Sequence, residues 1–206
     1  RRISGYFTNC IFSNNTASRG GAGHFQESLN GLSSTFDTCY FQNNTASSLG
    51  GGVVNNSTTD SLFQSCSFVN NTATGLNGGQ GSGGGLFNDS SNPQLLSCIF
   101  DANTANSNGG GLYNWSSTPQ VQDCQFLNNS AATGGGIKSY NGAGPSITSS
   151  TFCENVPDNI SGVHTDDGTN CLANLCNDYD NNGVPDQCES TVWTVDDDGL
   201  DYPSAD

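Results

Sequence analysis

Residues 178–189 read Asp-Tyr-Asp-Asn-Asn-Gly-Val-Pro-Asp-Gln-Cys-Glu. Oxygen-bearing side chains fall at loop positions one, three, five, nine and twelve, which are Asp178, Asp180, Asn182, Asp186 and Glu189. The Val184 carbonyl supplies position seven, and Gly183 stands where such a loop turns sharply. Calcium takes about six to eight hard oxygens, and this spacing provides them within one segment. The segment is therefore expected to hold Ca2+ in a structural role. Pro185, the flanking Cys176 and Cys188, and the lack of amphipathic helices on either side set it apart from a paired EF-hand.

Nine cysteines in 206 residues point to an oxidising compartment. They fall into two sets. Cys10, Cys39, Cys66, Cys98 and Cys124 recur at one position of a repeat, where stacked neighbours have parallel side chains that fit disulfide geometry poorly; small buried thiols are expected there. Cys153, Cys171, Cys176 and Cys188 lie outside that row. Four cysteines allow three connectivities; Cys153–Cys171 with Cys176–Cys188 is the preferred one, and it would staple the tail to the body.

Asn-x-Ser/Thr acceptors for N-linked sugar occur at Asn14, Asn43, Asn55, Asn56, Asn70, Asn88, Asn114, Asn128 and Asn159. Asn14, Asn43, Asn70 and Asn128 share one place in the repeat; Asn55, Asn88 and Asn114 share another. Two columns of outward glycans are expected.

Other chemistries find little support. The four basic residues, Arg1, Arg2, Arg19 and Lys138, form no patch, and the net charge is −15. That argues against nucleic acid and anionic membrane surfaces. No stretch approaches the ~18 apolar residues of a membrane span, and the Arg1-Arg2 start lacks the apolar segment of a signal peptide. His24 and His164 have no evident catalytic partner, and the acidic residues do not recur as the paired carboxylates of a hydrolase. No enzyme activity is expected.

The elements that must position these residues come from a repeat. Starting at the five row cysteines, the chain reads Cys-x-Phe, then x-Asn-Asn-Thr-Ala or a near variant, then a Gly-rich triplet; a sixth start at Ser150 keeps Phe152. Successive starts are 29, 27, 32, 26 and 26 residues apart, the longest holding a Gly-rich insertion near Gly75 and Gly81. Periods of this size mean stacked coils. The density of Gly, Asn, Ser and Thr, without an apolar period of 3.6, rejects helical repeats. Phe12, Phe41, Phe68, Phe100, Phe126 and Phe152 should stack inside, beside a second column of Phe36, Phe63, Leu95, Val121 and Ile147. Asn15, Asn44, Asn71, Asn103, Asn129 and Asn155 recur in all six coils. They are expected to form a turn ladder, bonding the next coil's backbone and adopting left-handed conformations.

On these repeats the chain resembles right-handed parallel β-helices of the pectate-lyase-like superfamily and, more closely, the repeat surface proteins that include polymorphic outer-membrane adhesins. The 178–189 loop resembles thrombospondin type 3 and dockerin-like calcium segments, which implies ligand roles for Asp178, Asp180, Asn182, Asp186 and Glu189. The expected architecture is all-β: a right-handed parallel β-helix (solenoid) of five to six coils over 1–165, a disulfide-bracketed calcium segment over 166–189, and an extended strand or linker over 190–206. Asp196–Asp198 and Asp201 read as a charged loop. The expected function is that of a non-enzymatic extracellular or cell-surface structural glycoprotein, joining copies of itself head to tail in a fibril or array. The alternative is a carbohydrate-binding adhesin that stacks extracellular polysaccharide on Tyr113, Trp115 and Tyr140.

Overall fold

The computed structural model describes residues 5–26, 34–56, 61–76, 80–142, 144–173, 193–195 and 201–203. The described residues between 5 and 173 wind into a solenoid of four parallel sheets. One coil shows the plan. Thr35–Asp37 lies in the first sheet, Tyr40–Gln42 in the second, Thr45–Leu49 in the third and Val53–Asn56 in the fourth. Equivalent residues of successive coils pair in register: Phe36 with Phe63, Phe41 with Phe68, Thr45 with Thr72, and Val53 with Leu86.

The strands are short because left-handed residues end them. Before each row cysteine and before Ser150, one residue has φ between +48° and +54°: Asn9, Thr38, Ser65, Ser97, Asp123 and Ser149. After the second-sheet strands, Asn14, Asn43, Asn70, Ala102, Asn128 and Glu154 have φ between +53° and +57°. Two such corners bracket each Cys-x-Phe strand. The Gly triplets make the next corner, where coils approach so closely that a Cβ on Gly84 would stand 2.3 Å from the Gly110 carbonyl oxygen.

Period-two alternation sends the two expected apolar columns inward. Phe41, Phe68, Phe100, Phe126 and Phe152 are fully buried, with centroids 4.6 to 4.8 Å apart along the stack. The spacing is that of paired strands, about 4.8 Å. The second column begins one coil earlier than expected, with Phe7 stacked on Phe36 at 4.9 Å. A third interior column, Val53, Leu86, Leu112 and Ile137, comes from the fourth sheet.

The solenoid runs past residue 165: Thr165–Asp166 pairs with Ser146–Thr148, and Cys171–Ala173 pairs with Thr151–Cys153, giving the first and second sheets seven strands each. In the last segment, Trp193–Val195 is a strand, paired antiparallel with Asp201–Pro203 as a local hairpin.

Candidate functional site

The interior of the solenoid is occupied by ladders, which decides what remains for the outside. Asn71 makes four side-chain hydrogen bonds. Its Nδ2 donates to Asn103 Oδ1 (3.0 Å) and to the Phe41 carbonyl of the preceding coil (2.8 Å), while its Oδ1 accepts from the backbone N–H and Nδ2 of Asn44 (3.1 and 3.0 Å). Asn44, Asn103 and Asn129 repeat the scheme. An amide with two donors and two acceptor sites is then saturated, which is why Asn44, Asn71, Asn103 and Asn129 can be fully buried. The ladder thus bonds side chain to side chain and reaches back to the preceding coil's Phe carbonyl. The left-handed residue is the neighbour on its N-terminal side.

The five row cysteines are free thiols, and Cys39, Cys66, Cys98 and Cys124 are fully or almost fully buried. They are also hydrogen-bonded: Cys98 Sγ lies 3.3 Å from the Phe63 carbonyl oxygen and 3.4 Å from that of Leu96. Burial pushes the Cys98 thiol well above its usual range and raises that of Cys39. Asn170 continues this row after Ser150. Its Oδ1 accepts from the Ser150 N–H at 2.8 Å, and its Nδ2 donates to the Ile147 carbonyl at 2.9 Å. Cys153 and Cys171 are each disulfide-bonded; Cys176 and Cys188, and with them the expected Cys176–Cys188 bridge, lie outside the described residues. So do the expected calcium ligands Asp178, Asp180, Asn182, Val184, Asp186 and Glu189. Among the described residues, no group of three or more His, Cys, Asp and Glu side chains could hold a metal ion.

The acceptor asparagines divide sharply. Asn14, Asn43, Asn70 and Asn128 stand exposed at the left-handed corner. Asn128 donates one Nδ2 hydrogen to Asp101 Oδ1 at 3.0 Å and keeps the other. Asn55, Asn88 and Asn114 are fully buried, contrary to the expected second outward column. They form another interior ladder, with Asn55 Nδ2 donating to Asn88 Oδ1 (3.1 Å) and Asn88 Nδ2 to Asn114 Oδ1 (3.0 Å). The fold leaves no room for sugar on them. The cause is register: the preceding pairs Val53-Val54, Leu86-Phe87 and Leu112-Tyr113 are apolar at both positions, and the first member takes the core. Asn159, half-buried, extends the first ladder by accepting from Asn155 Nδ2 at 2.8 Å and donating to the Ala173 carbonyl at 3.4 Å. Sugar there would break that link. Asn56 is half-buried at the end of its strand.

The second members of those pairs form an apolar patch outside the fourth sheet. Val54, Phe87 and Tyr113 pack together there with Leu49 and Trp115. Burial raises the Tyr113 hydroxyl above its usual range. In the adjoining outward column, Trp115 and Tyr140 meet with centroids 5.0 Å apart, and Tyr140 is 56% exposed. Of the three expected stacking residues, two therefore lie side by side and Tyr113 is covered. Lys138, beside Tyr113, donates from Nζ to Ser161 Oγ at 3.0 Å. His24 is lowered by burial and by Arg19, and His164 Nδ1 lies 3.2 Å from the Gly162 carbonyl oxygen.

A family model described as the right handed beta helix region matches residues 3–152. The chain belongs to the right-handed β-helix family. No curated protein and no solved structure gives a significant match. Within this β-helix the columns that sequence reasoning missed were those without a constant residue type. The corner before each row cysteine and before Ser150 is Asn, Thr, Ser, Ser, Asp and Ser in turn. The seventh coil was hidden because Asn170 replaces the row cysteine and Leu172 the Phe.

Proposed function

We propose that this β-helix is a non-enzymatic extracellular structural glycoprotein, a rod-shaped subunit of a linear fibril or cell-surface array that carries sugar on one face. The observation that carries the reading is the split within each Asn-Asn pair at the corner after the second sheet. The second residue is consumed by the stack and the first is presented to solvent at a fixed corner. A parallel stack extends by adding coils in register, so end-to-end contact between copies would continue ladders already present. The 178–189 loop, holding Ca2+, would fix the tail to which the partner docks. Electron microscopy of native protein tests the assembly: filaments one rod wide support it, and dispersed rods at working concentration contradict it. Deleting residues 190–206 asks whether the tail donates the contact. Calorimetry tests the ion, since an intact, oxidised chain that takes up no calcium refutes that part.

A second reading, a carbohydrate-binding adhesin, draws on the Trp115–Tyr140 pair, which offers aromatic faces to a sugar ring. Binding of an immobilised polysaccharide that is lost in Trp115→Ala and Tyr140→Ala would favour it over a passive rod.

A further inference from the structure

We infer that the exposed Asn column takes sugar on alternate coils, at Asn14, Asn70 and Asn128, and leaves Asn43 bare. The inference rests on the glycoprotein reading and deepens it. The corner N–H groups fix the register. Asn14 donates to the Gln42 carbonyl, Asn43 to Val69, Asn70 to Asp101, Ala102 to Leu127, and Asn128 to Cys153, each at 3.0 to 3.2 Å. These five residues therefore occupy five successive coils of one column. Neighbouring attachment points lie one strand spacing apart, about 4.8 Å. All share one left-handed backbone conformation, so their side chains leave the body in the same direction.

Attachment joins Asn Nδ2 to C1 of an oligosaccharide from a diphospho-lipid donor. The C1–O bond to the diphosphate breaks, and the displaced Nδ2 proton leaves with that diphosphate. A branched oligosaccharide is several rings wide, so stems one coil apart compete for the same space, while stems two coils apart do not. If sugar is added before folding, a chain loaded on adjacent coils cannot close its stack there and is depleted from the secreted material. If it is added after folding, an occupied coil blocks its neighbours. Both routes leave the same pattern. The fourth coil carries Ala102, with no acceptor, so Asn128 has no competitor on that side and Asn43 alone is flanked by two.

The test is site-resolved glycopeptide mapping and intact mass of the full chain secreted from a eukaryotic cell. Asn14, Asn70 and Asn128 should be occupied, with Asn43 at least about five-fold lower. In the double variant Asn14→Gln/Asn70→Gln, Asn43 should rise to the level of Asn128. Thr16→Ala/Thr72→Ala removes the same two acceptors while keeping both corner residues, and should give the same rise. Ala102→Asn creates an acceptor on the empty coil and should either remain bare or lower occupancy of Asn70 and Asn128. Molecules carrying sugar on Asn14, Asn43 and Asn70 together would overturn the alternation, as would Asn43 staying bare in both double variants. A bare Asn128 beside occupied Asn14 and Asn70 would also overturn it, whereas Asn14, Asn43, Asn70 and Asn128 all bare in every form would sink the glycoprotein reading itself.

Discussion

The two asparagine ladders inside this β-helix use the same side chain and differ in how they end. The ladder at the corner after the second sheet links its amides to one another and to backbone, and it closes on Asn159. The ladder in the fourth sheet has three members linked only to one another, and it ends badly at both sides. At one end Phe25 occupies the column beside Asn55, and among the described residues Asn55 Oδ1 has no partner; at the other Ser139 follows Asn114, and neither Asn114 Nδ2 nor Ser139 Oγ has a partner among those residues. Buried polar groups cost about 1–3 kcal/mol each when unmatched. A ladder is thus worth what its terminations allow.

The largest effect should come from Asn103→Ala. It removes the acceptor of the Asn71 N–H and of one Asn71 Nδ2 hydrogen, and the side-chain donor to the Phe68 carbonyl and to Asn129 Oδ1. A loss of about 4 kcal/mol or more is expected in equilibrium denaturation. Asn88→Ala breaks two side-chain bonds and no backbone ones, so about 2 kcal/mol should be lost; equal losses would mean that backbone links do not distinguish the ladders. Ser139→Asn places an acceptor opposite Asn114 Nδ2 and should raise stability by about 1 kcal/mol. A destabilised Ser139→Asn would show that the orphaned ends are not the weakness. The thiol row gives a readout without a change in stability. Burial and a raised pKa hold Cys98 in the unreactive thiol form near pH 8. Iodoacetamide should label half-buried Cys10 in the native chain and reach Cys98 only after unfolding, as peptide mass mapping would show.

Much of this fold was legible in the sequence because stacking demands the same residue type at the same place. Phe12 through Phe152 and Asn15 through Asn155 declared both the coil length and the interior. Where stacking needs only a conformation, the signal faded. Thr38 and Asp123 take the same left-handed corner as Asn9 without sharing its chemistry. The candidate site was half legible for a related reason. Asn70 and Asn88 carry the same acceptor pattern, and only the alternation of the strand before Asn88, masked by Leu86 and Phe87, turns it inward.

The central claim is that in each Asn-Asn pair at the corner after the second sheet (residues 14–15, 43–44, 70–71 and 128–129) the second residue carries the stack and the first is free for other use. Asn70→Ala and Asn71→Ala, measured side by side by urea denaturation of the same chain, test it most directly. The account predicts a loss of about 1 kcal/mol for Asn70→Ala, the cost of alanine in a left-handed corner, and about 4 kcal/mol for Asn71→Ala, whose four bonds go with it. Equal losses, or a larger one at Asn70, would contradict it.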